Sequence, residues 1–375
     1  MGEAVAKKKS PAGKIAFLLV IFAIGLACYL ASNMLKLDKL LPAILFFVAG
    51  LVCLIKGGDW FVDGATAIAK KFHIPEILIG ATVVSIGTTL PEVMVSAQAA
   101  AKGSSSISYG NAIGSIICNA ALIAAITLAV KPAKVDKKPL RLPVIFFFIA
   151  AAFYAFNAYY FGSFSRTTGI LLLVTFFVYM FFVIRQAISK MKKGETEEPA
   201  EEEEEKSEET ESVPVALILL IFGAAIIAFG ANLLVDNGII IAHKIGIPES
   251  VIALTFVALG TSLPELVTAI TSLAKGHGAL SLGNIIGANI FNLVLVSGLA
   301  ITINPFDVPN DKAPIAGMNP SLLIDVPLVF LVMMILTLPA VFKGKLYRIQ
   351  GILLLLLYFA YLAFQFLISF NVISF

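Results

Sequence analysis

One hexapeptide occurs twice in this chain, and each copy places a proline and a carboxylate inside an apolar run. The first copy is Gly87-Thr88-Thr89-Leu90-Pro91-Glu92 and the second is Gly260-Thr261-Ser262-Leu263-Pro264-Glu265. The two glutamates are 173 residues apart, and the same offset pairs the flanking residues without a gap. An ungapped match over about 65 residues is far beyond the chance similarity of two apolar segments, so the chain contains an internal duplication.

The chemistry of the motif is unusual for a membrane segment. A carboxylate at membrane depth costs about 2.5–3.5 kcal/mol on insertion scales, so it is retained where it faces a cavity, a partner or a bound ion. Pro91 supplies no N–H and its ring clashes with the carbonyl of Gly87, which predicts a broken helix. The freed carbonyls, the threonine hydroxyls and Glu92 form an oxygen-rich environment suited to a hard cation. A single such glutamate could instead be structural, but duplicated motifs favour a site.

Composition places the chain among membrane proteins. It is 59% hydrophobic and 14% charged, whereas soluble domains are about 45–50% apolar and about 25% charged. The expected fold class is therefore an all-α polytopic membrane protein embedded in the lipid bilayer. An intramembrane enzyme is disfavoured because no HExxH, GxSxG or P-loop motif is present. Nothing indicates nucleic-acid binding or a cofactor.

Hydropathy predicts eleven transmembrane helices. Their ranges are 15–35, 40–71, 77–101, 106–130, 142–160, 168–184, 215–242, 251–274, 280–303, 322–341 and 349–370. The first helix follows a lysine cluster and could be a signal peptide, but its length and the lack of a clear cleavage site favour an extra helix. Residues 190–212 form a glutamate-rich linker that cannot bury a core and is expected to be a solvated tether.

The distribution of lysine and arginine predicts the orientation. A cytoplasmic N-terminus puts most basic clusters and the acidic linker on the cytoplasmic side of the cell membrane, and leaves the C-terminus outside. The Glu92 and Glu265 helices then cross in opposite directions, which is typical of secondary transporters with inverted repeats and a midplane site. We expect four regions: an N-terminal segment with the extra helix (1–38), a first five-helix repeat (39–187), the acidic linker (188–213) and a second, inverted five-helix repeat (214–375).

The helix after each motif contributes further candidate ligands. Asn111, Ser115 and Asn119 recur every four residues and share one helical face, beside Gly110 and Gly114, which form a surface for close packing. The second repeat offers Asn284, Ala288 and Asn292 at the equivalent positions. Two glutamates with amide, hydroxyl and backbone oxygens meet the need of calcium for six to eight hard ligands, or could be divided among sodium sites.

These paired motifs resemble the two alpha-repeats of the cation/calcium antiporter superfamily, and the chain looks most like prokaryotic sodium/calcium exchangers. The resemblance covers nearly all of the chain except the first helix and the linker. It implies that Glu92 and Glu265 are the central calcium ligands. It also implies that Thr88, Thr89, Thr261 and Ser262, with the carbonyls of Ser85 and Ala258, line flanking sodium sites. The remaining ligand positions of the family correspond to Ser115, Asn119, Ala288 and Asn292.

The chain departs from the family pattern at two of these positions. Asn292 stands where related exchangers have an aspartate, and Ala288 stands where the first repeat has Ser115. The expected function is secondary active exchange of sodium for calcium by alternating access, in a chain that works as a monomer. The alternative within the same fold is a proton-coupled exchanger of calcium or another divalent cation. A cation channel is a third possibility, which would need a continuous pore.

Overall fold

Helices make up most of the residues that the computed structural model describes. The structure describes residues 39–71, 85–132, 135, 137–192, 213–274 and 278–370. The predicted extra helix at 15–35, the first part of the predicted Glu92 helix at 77–84 and most of the acidic linker lie outside the described residues. The predictions for these three segments therefore remain predictions.

Twelve helices and one short strand pair are present in the described ranges. The helices are α1 (Leu40–Lys71), α2 (Ser85–Thr88), α3 (Leu90–Ala101), α4 (Ser105–Val130), α5 (137–161), α6 (Arg166–Lys192), α7 (Val213–Ile245), α8 (Glu249–Thr261), α9 (Leu263–Ala274), α10 (278–303), α11 (Ser321–Lys343) and α12 (Arg348–Ser369). Strands β1 (Ser163–Phe164) and β2 (Phe306–Asp307) pair antiparallel.

Eight of the described helices are long and apolar enough to cross a membrane: α1, α4, α5, α6, α7, α10, α11 and α12. Each coincides with a helix predicted from hydropathy, and the bounds agree to within about eight residues. The two predicted helices that contain the duplicated motif are each divided in the structure, with the interruptions at Thr89 and Ser262. The chain is therefore a multi-pass membrane protein with two broken helices.

Several helix bounds in the first half of the chain are repeated in the second half, with the 173-residue offset found in the sequence. The helices α1 and α7 begin 173 residues apart, at Leu40 and Val213. The same offset separates α3 from α9, and the ends of α4 and α10 at Val130 and Ile303. Each of α4 and α10 also contains a five-residue π-helical turn, at Asn119–Ile123 and Asn292–Val296, again 173 residues apart. The duplication is therefore present in local backbone structure as well as in sequence.

The helices α1 and α7 pack against each other in opposite directions. A Cβ added at Gly50 would lie 2.8 Å from the carbonyl oxygen of Gly230, and one added at Gly57 would lie 2.9 Å from that of Gly223. The lower-numbered glycine of one helix thus meets the higher-numbered glycine of the other, which defines an antiparallel pair. Because glycine has no side chain, the two backbones approach closely, as small residues allow between membrane helices.

Two side-chain amides form hydrogen bonds between helices. The Gln98 side chain in α3 donates to the carbonyl oxygen of Ala228 in α7 at 3.3 Å. The Thr168 hydroxyl in α6 donates to Asn157 Oδ1 in α5 at 2.8 Å. Each of these two amides thus joins two neighbouring helices. Cys53 and Cys118 are buried free thiols.

Candidate functional site

The two interruptions have nearly identical backbone geometry. Thr89 has φ −87° and ψ −2°, and Ser262 has φ −85° and ψ 9°. Each lies two residues before the proline of its motif, so Pro91 and Pro264 fall in the first turn of α3 and α9. A proline is tolerated there because the N–H it lacks would have no acceptor within the helix. The break predicted from the prolines is therefore a clean separation into two helices.

This geometry puts both glutamates at helix N-termini. Glu92 and Glu265 lie in the first turns of α3 and α9, where the partial positive charge of the helix dipole favours a carboxylate. Both side chains are completely removed from the surface, with exposures of 0% and 1%. Their carboxyl groups are close enough to interact electrostatically. Two residues 173 positions apart in sequence therefore form one buried acidic pair.

The motifs contact each other directly. The Ser262 hydroxyl of the second motif donates to Glu92 Oε1 of the first at 3.2 Å. Thr88 of the first motif lies beside the Glu265 carboxyl of the second. Thr89 and Ser262 are fully buried. Two of the hydroxyl residues predicted for this site, Thr88 and Ser262, therefore lie next to the acidic pair.

Asn111 in α4 links the two motifs through its side chain. Its Nδ2 donates to the backbone oxygen of Glu92 at 3.2 Å and to Ser96 Oγ at 2.8 Å. Its Oδ1 accepts from the Thr261 hydroxyl at 3.1 Å. Since both ends of the amide are engaged, Asn111 acts as a scaffold for the acidic pair. The Ser115 hydroxyl, one turn later on the same face, lies 3.5 Å from the Thr261 hydroxyl.

The close contact of α4 with α8 maintains this arrangement. A Cβ added at Gly110 would lie 2.5 Å from Ala253 Cβ, and one added at Gly114 would lie 2.7 Å from the Leu254 carbonyl oxygen. The packing predicted for Gly110 and Gly114 is therefore confirmed. It brings Asn111 within hydrogen-bonding distance of Thr261 at the end of α8.

Several buried polar atoms of the predicted ligand residues have no hydrogen-bond partner within the described ranges. They belong to four residues: Glu92 Oε2, both carboxyl oxygens of Glu265, and both side-chain amide atoms of Asn119 and Asn292. Buried polar groups are normally satisfied because leaving them unpaired costs free energy. Asn119 and Asn292 also begin two of the five π-helical turns among the described residues, a feature frequent at functional sites. The arrangement can therefore offer free oxygens to a cation.

The other predicted positions differ in their surroundings. The Ala258 carbonyl oxygen already accepts the Ser262 N–H at 3.1 Å and lies 3.2 Å from the Thr261 hydroxyl. Ser85 begins α2, where its carbonyl is near the first break. Ala288 in α10 is buried and offers no side-chain ligand. Each carbonyl oxygen that is expected to line a sodium site therefore belongs to the helical segment that ends at one of the breaks.

Some buried polar residues were not identified from the sequence. Asn289 lies next to Ala288, donates to Met333 Sδ at 3.2 Å, and has an unpaired Oδ1 among the described atoms. Lys312 and Asp325 form a fully buried ion pair. Asp325 lies near the start of a predicted apolar helix, so the same signal that drew attention to Glu92 could have revealed it.

The donor set favours hard cations. Within the described part of the chain no cluster of three or more histidine, cysteine, aspartate or glutamate side chains could hold a metal ion. The acidic pair is instead surrounded by hydroxyl and amide groups, whose oxygens suit calcium and sodium better than soft or transition metals. If both carboxyl groups are ionised, their combined charge of −2 matches one calcium ion.

Comparison with known proteins identifies relatives that share this architecture. The family model described as sodium/calcium exchanger protein matches residues 42–185 and 215–367. Sodium/calcium exchanger MaX1 of Methanosarcina acetivorans is 33% identical over 353 residues, covering 86% of this chain and 98% of the relative. Inner membrane protein YrbG of Escherichia coli is 33% identical over 271 residues, covering 72% and 82%.

A solved structure of a sodium-calcium exchanger is also similar to this chain. The sodium-calcium exchanger NCX_Mj, soaked with Na⁺ and Sr²⁺, superposes with a TM-score of 0.56 at 31% identity, covering 86% of this chain and 99% of that one. The named exchangers are transporters and not enzymes. Because the family model spans both halves of the chain, this protein is a multi-pass membrane antiporter that belongs to the sodium/calcium exchanger family.

Proposed function

We propose that the protein exchanges sodium for calcium across the cell membrane, with both ions competing for one site between α3, α4, α9 and α10. Glu92 and Glu265 bind calcium directly. The hydroxyl groups of Thr88, Thr89, Thr261 and Ser262 and the carbonyls of Ser85 and Ala258 surround them and serve sodium. Ser115, Asn119 and Asn292 complete the oxygen ligands. Calcium and sodium are transported substrates, and no cofactor takes part.

The observation that best supports this proposal is the buried acidic pair with its unpaired oxygens. Glu92 and Glu265 come from equivalent positions of the two motifs and interact across the contact between them. Calcium needs about six to eight oxygen ligands, and the unpaired atoms of Glu92, Glu265, Asn119 and Asn292 supply several at once. A cation among them would offset the cost of burying two carboxyl groups.

Alternating access follows from an inverted repeat. We assign residues 39–187 and 214–375 to two five-helix repeats inserted with opposite orientations, joined by a cytoplasmic linker at 188–213 and preceded by an extra helix within 1–38. The antiparallel packing of the equivalent helices α1 and α7 supports this assignment. The site then lies near the membrane midplane between the repeats, as in other inverted-repeat transporters. The N-terminus is cytoplasmic, the C-terminus is outside, and one chain suffices for transport.

Sodium is the proposed driving ion because the relatives identified above include named sodium/calcium exchangers. The alternative is proton coupling, or exchange of another divalent cation. This alternative is supported by Asn292 and Ala288, because they stand where related exchangers have an acidic residue and where the first repeat has a hydroxyl residue.

The coupling ion is tested with purified protein in liposomes. Radioactive calcium uptake is compared between liposomes loaded with sodium, liposomes loaded with potassium, and liposomes with only a pH gradient. Sodium exchange predicts uptake in the first case alone. Uptake driven by the pH gradient without sodium would overturn sodium coupling and support the proton-coupled alternative.

A further inference from the structure

Two consecutive residues of one connection bind to two different parts of the protein. Residues 304–320 link α10 to α11, and within them Asp311 contacts α8 while Lys312 contacts α11. The connection is also held at β2, which pairs with β1, and at Asn319, whose side chain donates to the Pro309 carbonyl oxygen at 3.0 Å. Several contacts with neighbouring elements therefore hold this connection in place.

Lys312 is anchored in the interior. Its Nζ lies 2.6 Å from Asp325 Oδ2, and the two side chains are 1% and 0% exposed. The other carboxylate oxygen of Asp325 accepts from Gln365 Nε2 at 2.7 Å and from the Tyr361 hydroxyl at 3.2 Å. An ion pair so deeply buried is stable only when its remaining hydrogen-bonding capacity is satisfied. Here α11, α12 and the connection supply it together.

Asp311 caps the helix that leads to the site. Its Oδ2 accepts the backbone N–H of Ser250, the second residue of α8, at 3.0 Å. Pro248, which precedes α8, has no side-chain acceptor, so the free N–H groups of this helix start depend on another segment. A carboxylate at this position also interacts favourably with the helix dipole. Thr261 lies at the opposite end of α8, about 17 Å away at 1.5 Å per residue.

We propose that Asp311, Lys312 and Asp325 are positioning residues for ion exchange. Asp311 holds the start of α8, and the buried Lys312–Asp325 pair fixes Asp311 to α11 and α12. The end of α8 bearing Thr261 thereby keeps its register with Asn111 and the acidic pair. None of the three residues contacts the ions. This inference rests on the proposed function, since it assigns a role in ion affinity at that site.

The principal test replaces Asp311 with alanine. Calcium KM and Vmax are measured with membrane vesicles of both orientations, so that each face of the membrane is examined separately. Loss of a helix cap is expected to raise calcium KM roughly fivefold at the face where residues 304–320 lie, with Vmax changed by less than about twofold. Asp311→Asn, which keeps an acceptor oxygen, should give a smaller increase. Asp307→Ala, the same change at an exposed position of the same connection, is the matched control.

The buried pair is tested with a second set of variants. Lys312→Met alone leaves an unpaired carboxylate and is expected to reduce the yield of folded protein. Lys312→Met combined with Asp325→Asn removes both charges but keeps an acceptor for Tyr361 and Gln365. This double variant should fold and still show the raised KM. A double variant with normal KM at both faces, or Asp311→Ala with normal KM, would overturn the inference.

Glu92→Gln measured in the same vesicles separates this inference from the proposed function. Loss of uptake in Glu92→Gln with normal kinetics in Asp311→Ala would overturn the positioning role alone. Uptake that persists in Glu92→Gln would instead overturn the site on which the inference rests.

Discussion

Replacing Gly110 by alanine should separate α4 from α8 and disturb the site without touching a proposed ligand. The new Cβ would lie 2.5 Å from Ala253 Cβ and 2.9 Å from the Ser250 carbonyl oxygen, whereas ordinary contacts begin at 3.4 Å. The helices must therefore move apart by about 1 Å, and overpacking of this kind costs about 1–3 kcal/mol. A shift of that size would lengthen the 3.1 Å hydrogen bond between Thr261 and Asn111 to about 4 Å, beyond the hydrogen-bonding range.

The assay combines stability with transport. The midpoint of thermal unfolding in detergent should fall, and sodium-dependent calcium uptake should drop at least roughly tenfold, because a displacement of about 1 Å at a reacting site can cost up to roughly 100-fold. The control is Gly58→Ala, where an added Cβ would have no neighbour within 4 Å among the described residues. This change should leave uptake intact, since alanine is favoured over glycine within a helix. Normal uptake and normal stability in Gly110→Ala would refute the argument from close packing.

Three further predictions follow from the hydrogen bonds and the linker. Ser262→Ala removes the donor to Glu92 Oε1 and should raise calcium KM roughly tenfold, as expected for a hydrogen bond to a charged group; an unchanged KM would exclude this role. Asn119→Ala should likewise raise calcium KM. Asn157→Ala should instead lower the unfolding free energy by about 1 kcal/mol and leave calcium KM unchanged. The same response in both variants would contradict the assignment of Asn119 to the site and Asn157 to helix packing. Deletion of residues 195–211 should leave uptake intact, and loss of transport would contradict a passive tether.

Most of the fold could be predicted because the relevant signals are local in sequence. Hydropathy alone located the eight long helices, since each forms a continuous apolar run. The breaks at Thr89 and Ser262 followed from the prolines two residues later. The π-helical turns at Asn119 and Asn292 were not predicted, because their composition is that of an ordinary apolar helix.

The duplication of the motif made part of the site predictable from the sequence. Matching motifs identified Glu92 and Glu265 as equivalent, but only the three-dimensional arrangement places the two carboxyl groups close together. The sequence also could not show that both ends of the Asn111 amide are engaged, because its partners Ser96 and Thr261 lie 15 and 150 residues away. The Lys312–Asp325 pair was missed for a related reason: a lysine between two predicted helices is normally exposed to solvent.

The central claim is that Glu92 and Glu265 together bind the transported calcium. It is tested most directly by sodium-dependent uptake of radioactive calcium into proteoliposomes containing Glu92→Gln, Glu265→Gln or the unmodified chain. Glu203→Gln, the same chemical change within the acidic linker, is the control. The account predicts that uptake is lost in both site variants and normal in the control. Normal calcium uptake in either Glu92→Gln or Glu265→Gln would contradict it.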